Sequence, residues 1–132
     1  MAVKGNLEVV KGFLEDVIVR NNLHLVERYV APEVIDSSQP AGIQGFTTTL
    51  QSFRTVFPDL EYKLIETIVE GEKVAVRFSA KGTHLGNYLG IPPTGKKISF
   101  WGISMFGVRN GLITEHWGLF DVPGILRQFR ER

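Results

Sequence analysis

The chain contains no cysteine. Disulfides, thiolate nucleophiles and zinc–thiolate sites are therefore excluded, and the composition suits a reducing, cytoplasmic setting. Long apolar runs are also missing. The opening MAVKGNLEVV has no signal-peptide core, and no segment approaches the roughly 20 apolar residues of a membrane span, so a soluble protein without a membrane partner is expected. Charge of one sign is scarce too: 15 Lys and Arg stand against 14 Asp and Glu, a formal net charge of +1. Nucleic acid is not an expected partner, because that needs basic residues gathered on one face. The basic tail LRQFRER reads as the solvated face of a terminal helix. The three histidines show no paired spacing, so no metal site is expected.

What is present is aromatic and apolar. Nine Phe, three Tyr and two Trp occur in 132 residues, and 43% of residues are hydrophobic. That length supports one domain, 1–132, with a real core. Leu7, Val10, Leu14, Val17 and Ile18 recur at helical spacing. Asn21 and Asn22 interrupt them and can cap a second short helix carrying Leu25, Val26, Tyr29 and Val30, which Pro32 is expected to end. A short strand is expected over Val34 to Ser38, followed by the loop SQPAG. Phe46, Leu50, Phe53 and Phe57 then mark a third helix, stopped by Pro58.

From Glu61 the period changes to two. Tyr62, Leu64 and Ile68 alternate with polar neighbours, Gly71-Glu72 turns the chain, and Val74, Val76, Phe78 and Ala80 line one side of the next strand. A long connection leads to a third strand near Ile98 to Val108. Asn110-Gly111 then signals a tight hairpin, because a type I′ turn needs positive φ at both central positions. The last strand runs from Leu112 to about Asp121, and Pro123 opens a terminal helix. Helices followed by long antiparallel strands give an α+β class: three N-terminal helices packed in a curved antiparallel sheet, with a short C-terminal helix. The mouth of such a cone is a usual place for an apolar small-molecule pocket.

An unbroken hairpin about Asn110-Gly111 sets Ser104 opposite Trp117, Gly102 opposite Leu119 and Phe100 opposite Asp121. Ile113, Glu115, Trp117, Leu119 and Asp121 then share one face, and His116 and Phe120 share the other with Trp101 and Met105. A carboxylate beside Trp117 and Phe100 is partly desolvated and is a usable proton acceptor near neutrality. The competing reading gives Asp121 the task of starting the helix after Pro123. His84 opens the long loop and serves as a loop brace or a site residue. His116 can reach Asp121 only if the strand bulges. Asp36 either points into the pocket or caps a loop beside Ser37 and Ser38.

GIPPTGKK, Gly90 to Lys97, imitates a phosphate-binding loop. Lys97 stands where its hydroxyl belongs, Pro92 and Pro93 remove two backbone donors, and a strand follows instead of a helix, so nucleotide binding is rejected.

Four stretches carry a resemblance: FPDLEY (Phe57 to Tyr62), VAVRF (Val74 to Phe78), GTHLGNYLGIPPTGKKI (Gly82 to Ile98) and NGLITEHWGLFDVPGILRQ (Asn110 to Gln128). Together with the PEVID segment they resemble the SnoaL-like polyketide cyclases (ester cyclases), cone folds of the nuclear-transport-factor-2-like superfamily. The resemblance implies an intramolecular aldol condensation closing a polyketide ring without metal or cofactor. It implies an aspartate general acid/base on the last strand, at the position of Asp121, and pairing of two copies through the sheet. Trp117, Phe53, Phe57, Phe100, Trp101 and Ser104 are the candidate substrate contacts, and Asp121, His84 and Asp36 the candidate catalytic groups. Many relatives carry histidine after the early aspartate, whereas here Ser37 follows Asp36, so a relay partner is missing or supplied by His84. Three readings therefore stand: a cyclase using Asp121, a ketosteroid-isomerase-like enzyme using Asp36, and a non-catalytic module that binds an apolar ligand. An interaction domain working through the sheet face carrying Trp101, Met105 and Phe120 is a fourth.

Overall fold

A computed structural model describes residues 5–37 and 42–131. Helix α1 (Asn6–Phe13) runs on without a break into a wider π-helical turn, Leu14–Val19. Val9, Val10, Phe13, Leu14 and Val17, which share its inner face, are buried. A 3-10 helix, Leu23–Arg28, follows, and the Tyr29 hydroxyl then bonds back to the Asp16 carboxylate. Strand β1 is Val30–Asp36, longer at its start than the sequence suggests. Pro32 lies inside it, which is tolerated because β1 is an edge strand. The expected end of that strand at Ser38, and residues 39–41 of the loop after it, lie outside the described residues, whereas Gly42, expected in that loop, opens the next helix.

Helix α2 (Gly42–Val56) packs on the sheet formed by β2 (Glu61–Glu70), β3 (Lys73–Thr83), β4 (Lys97–Arg109) and β5 (Leu112–Phe120). Helix α3 (Val122–Arg130) closes the chain. The strand order is β1-β5-β4-β3-β2. Four strands are antiparallel as expected, and β1 adds to β5 in parallel, a pairing no local pattern announces.

The inner face of β3 carries Val74, Val76, Phe78 and Ala80, and that of β4 carries Ile98, Phe100, Ser104 and Phe106, all buried against the helices. Phe13 ties the layers together, its ring 5.9 Å from both Phe46 and Phe106. Truncating any of these phenylalanines to alanine costs about 3–5 kcal/mol.

The hairpin turns at Asn110-Gly111, with φ of 53° and 79°, and Arg109 pairs Leu112 as the turn type requires. Two residues later the regular alternation fails. Val108 pairs Ile113 but Gly107 pairs Glu115, so Thr114 is the extra residue of a β-bulge, its hydroxyl 3.3 Å from the Gly107 carbonyl. Beyond it the observed pairs are Met105–Trp117, Ser104–Gly118 and Gly102–Phe120. The one-residue slip reverses the expected faces. His116, Gly118 and Phe120 turn inward, and Trp117 and Leu119 turn outward beside Trp101, Ile103 and Met105.

Candidate functional site

A cavity of about 540 Å³ lies between the helices and the concave face of the sheet. Phe13, Phe46, Phe53, Phe100, Phe106 and Phe120 give its wall a large aromatic share. Its polar groups are few, and three of them form a chain. His116 Nδ1 is 2.9 Å from Asp36 Oδ1, and His116 Nε2 is 3.4 Å from Ser104 Oγ.

Each member is placed by backbone. The parallel ladder sets Asp36 beside His116, and Ser37 N donates to the His116 carbonyl at 2.8 Å. The Thr114 bulge turns the imidazole inward, where Phe106 at 5.0 Å and the ring of Phe46 at 5.8 Å and 82° hold it. Ser104 sits on the inner face of β4 opposite Gly118. An ionised Asp36 accepts hydrogen bonds only, so Nδ1 is the donor to it, and in the neutral imidazole Nε2 then keeps its lone pair toward Ser104. Glycine at 118 on β5 leaves the space in front: a Cβ there would lie 3.1 Å from Nε2 and 3.4 Å from Ser104 Oγ. A basic nitrogen, a hydroxyl and room for a reacting atom thus converge in an apolar chamber.

The expected site residues divide between this chamber and elsewhere. Asp36, Phe53, Phe100 and Ser104 line the cavity. Phe57 is wholly buried behind it, 5.3 Å from Phe53 and 6.0 Å from Phe100. Trp101 and Trp117 are 54% and 42% exposed on the outer face, so neither is a wall, because the bulge reversed the face of Trp117 and strand alternation turns Trp101 out. Phe120, expected on the outer face, packs inside against Phe53 at 5.4 Å for the same reason.

Asp121 is not among the lining residues. Its side chain caps α3, with Oδ1 accepting from Gly124 N at 3.1 Å, and its own N–H donates to the Trp101 carbonyl. Strand β5 ends at Phe120, so the carboxylate falls at the helix entry and not on the pleated face. His84 is likewise outside the chamber. It is fully buried, stacked on Phe129 at 3.9 Å and 8°, and its Nδ1 accepts from Thr94 N at 3.1 Å. Burial pushes its pKa below the ordinary value. It braces the loop between β3 and β4, which includes the GIPPTGKK segment up to Lys96.

Among the lining residues that the sequence reading did not assign to the site are His116, Gly118, Phe120 and Arg54. Among the described residues no group of three His, Asp or Glu side chains is placed to hold a metal ion. Nor is any described helix long and apolar enough to cross a membrane.

A profile of SnoaL-like polyketide cyclases matches residues 8–129, nearly the whole chain. The protein belongs to the SnoaL-like polyketide cyclase family. It is 28% identical over 102 residues to the nogalonic acid methyl ester cyclase of Streptomyces nogalater, covering 76% of this chain and 75% of that one. Among solved structures, wild-type IdmH from Streptomyces antibioticus superposes with a TM-score of 0.84 at 26% identity, over 95% of this chain and 98% of that one. TsrD from Streptomyces laurentii gives 0.86 at 26% identity over 98% of both chains. The SnoaL-like α+β cone read from the sequence is the fold of the chain.

Proposed function

We propose that this SnoaL-like protein closes a ring in a largely apolar, polyketide-like molecule by an intramolecular aldol reaction, without a cofactor, and that His116 is its base. The observation carrying this reading is the inward-facing Asp36–His116–Ser104 chain beside the space left by Gly118. A carbon flanked by two carbonyls is already acidic. His116 Nε2 takes its proton, and Asp36 stabilises the imidazolium that forms and fixes the ring orientation. The Ser104 hydroxyl, released from Nε2, donates to the enolate oxygen. The enolate carbon then bonds to a second carbonyl carbon of the same chain. The imidazolium returns its proton to the alkoxide, and the base is regenerated. The aromatic walls hold the flexible chain in the closing conformer, which removes part of the entropic barrier.

The family resemblance favours Asp121 for the proton transfer, and a direct comparison separates the two assignments. Turnover of a β-dicarbonyl polyketide ester is followed by the absorbance of the ring-closed product. His116→Gln and Asp36→Asn are expected to lose about 10²–10⁴-fold in kcat, the usual worth of a positioned acid–base group. Asp121→Asn is expected to stay within about twofold of the wild type, because asparagine caps a helix as well as aspartate does. Loss of turnover in Asp121→Asn alone returns the role to Asp121. Binding without turnover by the wild type favours the non-catalytic module.

A homodimer through the outer sheet face, where Trp101 and Met105 lie exposed, is part of the same proposal.

A further inference from the structure

The proton-transfer chemistry leaves one charge in the cavity unused. Arg54, near the end of α2, lines the chamber. Its Nη1 donates to the Ile18 carbonyl at 2.8 Å and its Nε reaches the Pro58 carbonyl at 3.4 Å, both neutral acceptors. Among the described residues no carboxylate lies within ion-pairing distance of it. Asp59 acts on it only at longer range, and that carboxylate is already committed to Thr83, accepting from its N at 2.7 Å and its Oγ1 at 2.6 Å. A guanidinium has five N–H donors, so several remain without a described acceptor, those on Nη2 included.

Arg54 is half-buried, and that partial desolvation pushes its pKa down against the opposing pull of the more distant Asp59. Bracing Ile18 and Pro58 needs only donors, which a neutral side chain could supply. The charge is better explained by an anion that arrives with the ligand. The guanidinium fork matches a carboxylate in shape as well as sign.

Position in the helix adds a length. Phe46, whose ring packs on His116, lies eight residues before Arg54 in α2, about 12 Å at 1.5 Å per residue. Asn21 and Asn87 also line the cavity, and both are exposed, so solvent reaches it beside them. Asn87 adjoins Gly86, which packs on the Thr55 backbone next to Arg54.

We propose that Arg54 receives an anionic oxygen of the substrate, a carboxylate or ionised phenol, carried remote from the reacting carbon. The substrate class is then an elongated, mostly apolar molecule with one acidic terminus. The inference deepens the cyclase reading and rests on it for the identity of the reacting end.

The test is binding, followed by calorimetry with anthraquinone-2-carboxylate and with its methyl ester, a pair that differs in the charge. Wild type is expected to bind the carboxylate about tenfold or more tightly than the ester, the worth of one charged hydrogen-bonded contact. That preference should shrink as sodium chloride is raised. Arg54→Gln should abolish it by weakening the carboxylate while leaving the ester within about twofold, and Arg54→Lys should keep part of it. Equal binding of both probes by the wild type overturns the proposal without any variant, as does failure to bind either. Equal weakening of both probes in Arg54→Gln assigns the residue to bracing alone. His116→Gln should keep the preference while losing turnover. Retained turnover in His116→Gln therefore sinks the cyclase mechanism, and absence of the charge preference from the wild type sinks the role of Arg54.

Discussion

Gly118 faces His116 across the reaction space: a Cβ at 118 would stand 2.9 Å from Cε1 and 3.1 Å from Nε2 of the imidazole. The contact is tight enough to push the ring or fill the place of a substrate atom. Strand geometry alone favours a side chain here over glycine, since glycine loses more backbone entropy on folding. Gly118→Ala is therefore expected to cost about 1 kcal/mol, the strain on the imidazole being offset in part by the entropy gain, while kcat/KM falls about tenfold or more because the near-attack position is lost. Paired measurements of turnover and thermal unfolding check this. Activity lost only as far as the protein unfolds would show that the glycine serves packing instead.

Asp121 gives the complementary separation. Its carboxylate satisfies the Gly124 amide at the start of α3, whose Ile125 and Phe129 are buried. Asp121→Ala is expected to cost about 1 kcal/mol, the usual value of a lost N-cap, whereas Asp121→Asn should cost a few tenths at most. Urea unfolding of the two variants reads the difference directly. Equal destabilisation would mean that the cap is not what the carboxylate contributes.

His84 makes the fold sensitive to acid. Its imidazole is buried and its pKa is lowered by that burial, so the folded state binds fewer protons than the unfolded state below the ordinary value of 6.5. Stability from this group is fully present above about pH 6.5 and is lost as pH falls toward the folded pKa. Denaturant unfolding between pH 7.5 and pH 5 should show that decline, and His84→Gln, which can still accept from Thr94 N, should flatten it. A slope unchanged by the substitution would assign the acid sensitivity to other groups.

Helices α1 and α2, the turn at Asn110-Gly111 and the inner faces of β3 and β4 were legible because each follows from a period or a turn type. Val30 and Pro32, read as the end of a second helix, belong to β1 instead. The site was less legible for one physical reason. Faces on β5 were counted from the turn with a period of two, and Thr114 adds one residue to that count. Nothing in TEHW marks a bulge, since either alternation buries one aromatic or imidazole ring and exposes another. The error therefore passed to every residue beyond it and exchanged His116 for Trp117. Pairing of β1 with β5 was equally hidden, because a parallel contact spanning 80 positions leaves no local trace, yet it brings Asp36 to His116. The inward placement of Phe100 and Ser104 on β4 was independent of the bulge and survived it.

The outer sheet face supports a last prediction. Trp101, Ile103 and Met105 alternate outward on β4, and Trp117 and Leu119 do so on β5. The Met105–Trp117 and Ile103–Leu119 pairs stand directly opposite one another, so these side chains form one continuous apolar patch, with Leu119 81% exposed. A patch of that kind is rare on a monomer, and a symmetric pairing of two sheets would cover it with its own copy. Sedimentation at tens of micromolar is expected to give twice the chain mass of 14.8 kDa. Leu119→Lys should shift the protein to monomer, since two like charges would then meet in an apolar interface. Ligand binding should persist in that variant, because position 119 points away from the cavity. A wild type that sediments as a monomer at that concentration ends the dimer proposal and leaves the chamber, which lies on the other side of the sheet, untouched.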